Sequence, residues 1–142
     1  MRLTLSLVIL LFRSQLFAQD IFGKWKTIDD ETGKEKSIVE IYKKDGKAYG
    51  KIIKLFRSPS EDQDPSCSKC PDDRKGKKIM GMEIIRDMQL DDDEWEDGTI
   101  LDPKTGKIYD CKLWVDEDNP NQLNVRGYVA FFFRTQTWIR QP

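Results

Sequence analysis

The side chains able to do covalent or metal chemistry are few. The 142-residue chain has three cysteines and no histidine. It therefore lacks the side chain that titrates nearest neutrality, the commonest zinc ligand and the base of any Ser-His or Cys-His pair. Three cysteines leave a structural zinc site one ligand short unless a carboxylate or a second chain completes it. Cys67-Ser68-Lys69-Cys70 has the spacing of a redox motif. That chemistry needs a helix N-terminus in a βαβ setting to depress a thiol pKa, whereas Pro65 and Pro71 here flank a polar stretch. The expectation is a local Cys67–Cys70 disulfide made in an oxidising compartment. Cys111 alternates with Tyr109, Leu113 and Val115 on one strand face, so it reads as a buried free thiol, with cross-pairing to Cys67 or Cys70 as the alternative. The acidic runs 91–94 and 116–119 lack the alternating ligand spacing, loop glycine and distal Glu of a calcium loop, and read as solvated turns. No pair of carboxylates stands out for hydrolysis. No catalytic residue, metal or cofactor is expected, and the chain does not read as an enzyme.

The N-terminus carries an address. Met1-Arg2 precedes an almost wholly apolar run, 3–12, and Leu16-Phe17-Ala18 precedes Gln19. This is the order of a secretory signal peptide over 1–18, with an apolar run too short to span a bilayer. An N-terminal membrane anchor is the alternative. The remainder, 19–142, is room for a single domain. Charged residues are 35% of the chain, hydrophobic ones 38%, and the formal net charge is −1, which suits a thin β layer with a solvated outside. Basic and acidic residues are interleaved, so no stripe recommends nucleic acid as a partner. No later apolar run approaches spanning length. A monomer is expected.

The elements are strands. Residues 98–115 read as a hairpin whose turn is made by Asp102, Pro103 and Gly106. Pairing Asp102 with Lys107 sets Ile100 opposite Tyr109 and Leu101 opposite Ile108. Asp45-Gly46 is the two-residue signal for a second hairpin. Pairing Lys44 with Lys47 sets Glu40 against Lys51 and Tyr42 against Tyr49 on one face, with Val39 and Ile41 against Ile52 and Gly50 on the other. A one-residue slip would destroy both matches. Gly50 reads as a bend or bulge. Further strands are expected at 22–28, 122–129 and 134–140, a long polar loop at 57–78, and an acidic loop at 91–97 around Trp95. For 79–90, Met82, Ile84, Ile85 and Met88 fit a strand or a helical turn equally. About eight short strands without βαβ spacings predict an all-β fold: a closed antiparallel up-and-down barrel, with a two-sheet sandwich as runner-up.

In a closed barrel the first and last strands are neighbours. Trp25 of Gly23-Lys24-Trp25 can then meet Arg140 of Trp138-Ile139-Arg140, a guanidinium over an indole sealing the barrel floor. Gly23-x-Trp25 with a late Arg resembles the lipocalin and calycin barrels, in which that pair seals one end of a ligand-holding cup. A wider set of motifs spans nearly all of 19–142: Gly23-x-Trp25-Lys-Thr, Asp45-Gly46-x-x-Tyr49-Gly50, Cys67-x-x-Cys70, Gly98-x-Ile-Leu-Asp102-Pro-x-x-Gly106-x-x-Tyr109, Arg126-Gly127-Tyr128 and Arg134-Thr-Gln-Thr-Trp138-x-Arg140. As a set they are similar to a family of small secreted bacterial proteins known only as a domain of unknown function, which brings no catalytic residues with it. The resemblance implies a lipocalin-like barrel in the bacterial envelope, periplasmic in location.

The faces assigned inward nominate Ile41, Ile100, Tyr109, Leu113 and Val125 as ligand-binding residues. Gly23, Gly50, Gly98 and Gly127 lie on those faces, either leaving room for a ligand or letting the strands bend. Two functions follow. The first is a binder of a small apolar or amphipathic molecule, and the second is a non-enzymatic interaction module with a packed barrel that meets another envelope protein. An enclosed cavity or a packed interior distinguishes them.

Overall fold

The computed structural model describes residues 20–142. The signal peptide expected over 1–18 lies outside them. Eight strands follow in order: β1 (Gly23–Ile28), β2 (Glu35–Lys44), β3 (Lys47–Leu55), β4 (Glu83–Asp91), β5 (Glu94–Asp102), β6 (Lys107–Val115), β7 (Gln122–Val129) and β8 (Phe132–Gln141). Each pairs antiparallel with the next, and β8 returns to pair with β1 through Trp25↔Arg140, closing the barrel. The seam is short, three pairs from Lys24↔Gln141 to Lys26↔Ile139, and joins the strands at the Trp25 end. It is the closure by which a thin all-β chain with short connections covers its edges.

Both hairpin registers follow the side-chain matching. Tyr42 lies opposite Tyr49, Glu40 opposite Lys51 and Ile41 opposite Gly50 across β2–β3. Ile100 lies opposite Tyr109 and Asp102 opposite Lys107 across β5–β6. Gly50 sits at register shifts in the β3–β4 pairing. Outward positions carry Lys24, Lys26, Glu40, Lys51, Arg86 and Lys112, unlike the apolar outer band of a membrane-spanning barrel.

One segment differs from expectation, and one left open is decided. The acidic stretch 91–97 is not a loop. β4 and β5 run almost into each other, and Asp92, with φ 56°, takes the left-handed position of a tight turn. Trp95 is thereby carried into β5, 5% exposed, and its ring meets Phe22 edge-on at 5.5 Å. The segment 79–90, open between strand and helical turn, forms most of β4, a strand. Ile85 pairs with Ile100 on the inward face. Ile84 and Leu101, their chain neighbours, point the other way yet are buried too. Burial on both faces erases the period-2 signal and requires a second layer outside β4 and β5.

The connection between Leu55 and Glu83 supplies that layer. Its Cys67, Cys70 and Ile79 belong to the core cluster. Arg74, 4% exposed, holds it down through Asp72 at 2.6 Å and the Glu83 carbonyl at 2.9 Å. Arg86 on β4 grips Asp73 through two nitrogens, at 2.8 and 3.0 Å, and Glu83 at 2.8 Å. The Arg74 guanidinium holds the Asp72 carboxyl down at about 2, so this clamp stays charged through ordinary pH.

Candidate functional site

The barrel has a closed end and an open end, and the closed end is built around Trp25. Its indole N–H donates to the Ile21 carbonyl at 2.8 Å, and the ring is completely buried. The Arg140 guanidinium lies 4.2 Å from the Trp25 ring. It also donates to three main-chain carbonyls: Pro120 at 3.2 Å, Phe22 at 3.3 Å and Asp20 at 3.0 Å. One side chain therefore joins the chain entering β1, the β6–β7 turn and the barrel floor. Gly23 has φ 118°, and a Cβ there would stand 3.7 Å from the guanidinium. Trp95, Trp138, Leu113 and Leu123 fill the space around this floor.

At the other end lies a half-open cavity of about 810 Å³, which runs from the barrel interior out to Ile79, Ile84 and Leu101 under the 56–82 connection. Its apolar lining includes Ile52, Ile100, Tyr109, Val125 and Trp138 from β3 and β5–β8. Thr27 of β1, Ser37 of β2 and Arg134 and Gln136 of β8 add a polar patch to this lining. Thr27 and Ser37 share a hydrogen bond at 2.7 Å, both buried. Gln136 donates to Asp30 at 3.0 Å and receives the Trp138 indole N–H at 3.4 Å. Arg134 pairs with the same Asp30 oxygen at 2.8 Å. The Thr32 and Glu31 backbone amides hold the neighbouring Asp29 carboxyl below the usual range. The cup thus sets a polar patch beside an apolar wall.

Of the five residues nominated for ligand contact, Ile100, Tyr109 and Val125 line the cavity. Ile41 and Leu113 do not: they are 1% and 0% exposed in the packed end. Ile41 pairs with Gly23 and Leu113 with Trp95, at the level that the tryptophans fill. Alternation tells which face a residue takes but not its height in the barrel. For that reason Thr27, Ser37 and Gln136 were missed. Small polar residues on an inward face are the signal that could have found them.

The glycines divide the same way. A Cβ at Gly50 would lie 3.1 Å from Ile85, and one at Gly98 only 2.3 Å from the Arg86 carbonyl oxygen. These two mark close packing. Gly127 opens into the cavity, where a Cβ would meet Tyr109 at an ordinary 3.5 Å.

This geometry has counterparts. A family model described as "Uncharacterized protein conserved in bacteria (DUF2147)" matches residues 23–140. The chain belongs to this family. Among solved structures, a Helicobacter pylori protein described as belonging to the lipocalin family is similar. Its TM-score is 0.71 at 17% identity, over 87% of this chain and 84% of that one. The likeness is one of fold. No curated protein matches the chain.

In this DUF2147 barrel Cys67 and Cys70 are bonded to each other, each 1% exposed. They sit against the β5–β6 turn, with Cys67 Sγ 3.5 Å from the Pro103 carbonyl. Gly106 has φ 75°, and a Cβ there would fall 1.9 Å from the Lys69 carbonyl oxygen, so the cysteine loop rests directly on that turn. Cys111 is free and buried, and burial pushes its thiol up to about 12. We expect non-reducing peptide mapping to recover the Cys67–Cys70 link. Cys111 should resist alkylation at pH 8 until denaturant is added, and rapid labelling of the folded protein would contradict its inward placement. Among the described residues no group of three or more acids and cysteines is placed to hold a metal ion.

Proposed function

We propose that this protein is a secreted, periplasmic, non-enzymatic carrier that holds one small amphipathic molecule in its cup. The observation that carries the reading is the cavity. Its volume of about 810 Å³ falls within the ~300–1,000 Å³ of small-molecule sites. Its lining is divided: the apolar body of a ligand would lie against Ile100, Tyr109 and Val125, and its polar group would replace water at Thr27, Ser37 and Gln136. A packed-barrel interaction module needs no such space. The absence of histidine, and among the described residues of a metal-holding group of acids and cysteines, argues for holding rather than transforming the ligand.

The test is a titration with an anionic anilinonaphthalene fluorophore. We expect saturable binding at one site per chain, with a micromolar Kd corresponding to about 8 kcal/mol. Tyr109→Trp should report the same titration by energy transfer to the probe. Failure of the folded protein to bind any of a panel of lipids and apolar probes would reject the carrier and leave the interaction module.

A further inference from the structure

The β7–β8 hairpin ends differently from the other turns. Phe131 is 98% exposed, Phe132 78%, Phe133 61% and Val129 52%. The first four residues of β8 are exposed on both strand faces, so the end of this hairpin stands clear of its neighbours. Val129, Phe132 and Phe133 are also part of the cavity lining, which places the finger at the mouth of the cup.

Charge is arranged along the same axis. At the closed end Asp91–Glu94 and Asp116–Asp118 outweigh the Lys43, Lys44 and Lys47 of the β2–β3 hairpin. Flanking the finger at the open end are Arg126 and Arg134 on its own strands and Lys104 and Lys107 on and beside the adjacent β5–β6 turn. Arg134 is paired with Asp30 of the β1–β2 turn, which also brings Asp29 and Glu31 to this end. Arg126, Lys104 and Lys107 are therefore the cations left to face a surface. Arg126 is stacked 4.4 Å from the Phe133 ring, holding a cation at the base of the aromatic tip. A field of this polarity turns the open end toward an anionic surface.

We infer that the Phe131–Phe133 finger docks the mouth of the barrel onto an anionic lipid surface. A convex tip of consecutive phenylalanines needs a soft apolar phase more than a preformed groove. Basic residues behind it match lipid phosphates, the pairing of apolar insertion with electrostatic attraction that anchors peripheral proteins. Docking does not depend on the carrier reading, although the two would combine to let a ligand pass between bilayer and cup without crossing water.

The experiment is co-sedimentation of the folded protein with vesicles of phosphatidylethanolamine and phosphatidylglycerol, and with phosphatidylcholine vesicles as the neutral arm. We expect binding to the anionic vesicles that weakens several-fold as salt rises, and at least a ten-fold loss in Phe131→Ser/Phe132→Ser. Phe131→Ser alone, outside the cavity lining, should account for much of that loss. Gly127→Trp, which places an indole in the cup, should dock as wild type, so a failed carrier and a failed dock give different results. Absence of wild-type binding to either vesicle, or binding that survives the phenylalanine substitutions, would overturn the inference. Self-association abolished by the same substitutions, without vesicle binding, would assign the finger to a second copy instead and equally overturn it.

Discussion

Gly98→Ala is expected to destabilise the barrel by about 3 kcal/mol or more, at the upper end of overpacking effects. The added Cβ would stand 2.3 Å from the Arg86 carbonyl oxygen, 2.4 Å from Met88 Sδ and 2.8 Å from the Met88 amide nitrogen. Two of these three are main-chain atoms, so no rotamer change relieves the clash and β4 must move away from β5. The approach is close because both strands depart from regular geometry together. Between the pairs Arg86↔Thr99 and Gln89↔Glu96 lie Asp87 and Asp97, with φ 59° and 62°. Gly127→Ala is the matched control. It gains the same methyl group where the nearest side-chain atom lies 3.5 Å away, and should be within about 1 kcal/mol of wild type. Urea unfolding of the three proteins decides the matter. Equal midpoints for Gly98→Ala and Gly127→Ala would mean that the β4–β5 approach is not as described.

Arg140→Ala should cost about 2 kcal/mol. Its stacking on Trp25 is worth roughly 0.5–2 kcal/mol, and its charged hydrogen bonds to main-chain carbonyls add to that. The expected change lies at the top of the stacking range, because the Asp20, Phe22 and Pro120 carbonyls lose their shared donor at once. Arg140→Lys should recover little of it. A lysine keeps the charge but not the planar fork that spans the entering chain and the β6–β7 turn. Thermal unfolding followed by tryptophan fluorescence reads both variants. Full rescue by lysine would show that charge, not the forked geometry, closes the floor.

The part of this fold that was legible in the sequence is the part where chemistry alternates strictly along the chain. The β2–β3 and β5–β6 registers could be derived because Glu40 meets Lys51 and Ile100 meets Tyr109, and a slip would exchange the faces. The Trp25–Arg140 pair could be derived from closure alone. Trp95 could not. Its neighbours are acidic because they occupy the solvated turn between β4 and β5, and that solvation masked a core residue. Ile84 and Ile85 were ambiguous for the opposite reason, since the cysteine-loop connection buries what would otherwise be an outer face. Ile41 and Leu113 show a further limit: the strand period assigns a side, but the height at which tryptophans stop filling the barrel depends on closure between distant strands. The polar patch of Thr27, Ser37 and Gln136 exists only because β8 returns to β1.

The central claim is that the cup is a ligand site, and Gly127→Trp tests it most directly. The position opens into the cavity without backbone strain, and its nearest neighbour is the Tyr109 side chain. An indole there occupies the space between the apolar wall and the polar patch while the closed end stays untouched. The account predicts a protein with near wild-type unfolding behaviour, within about 1.5 kcal/mol, whose affinity for the anilinonaphthalene probe falls at least ten-fold. A folded Gly127→Trp protein that binds the probe with wild-type affinity and stoichiometry would contradict it and place the binding outside the barrel.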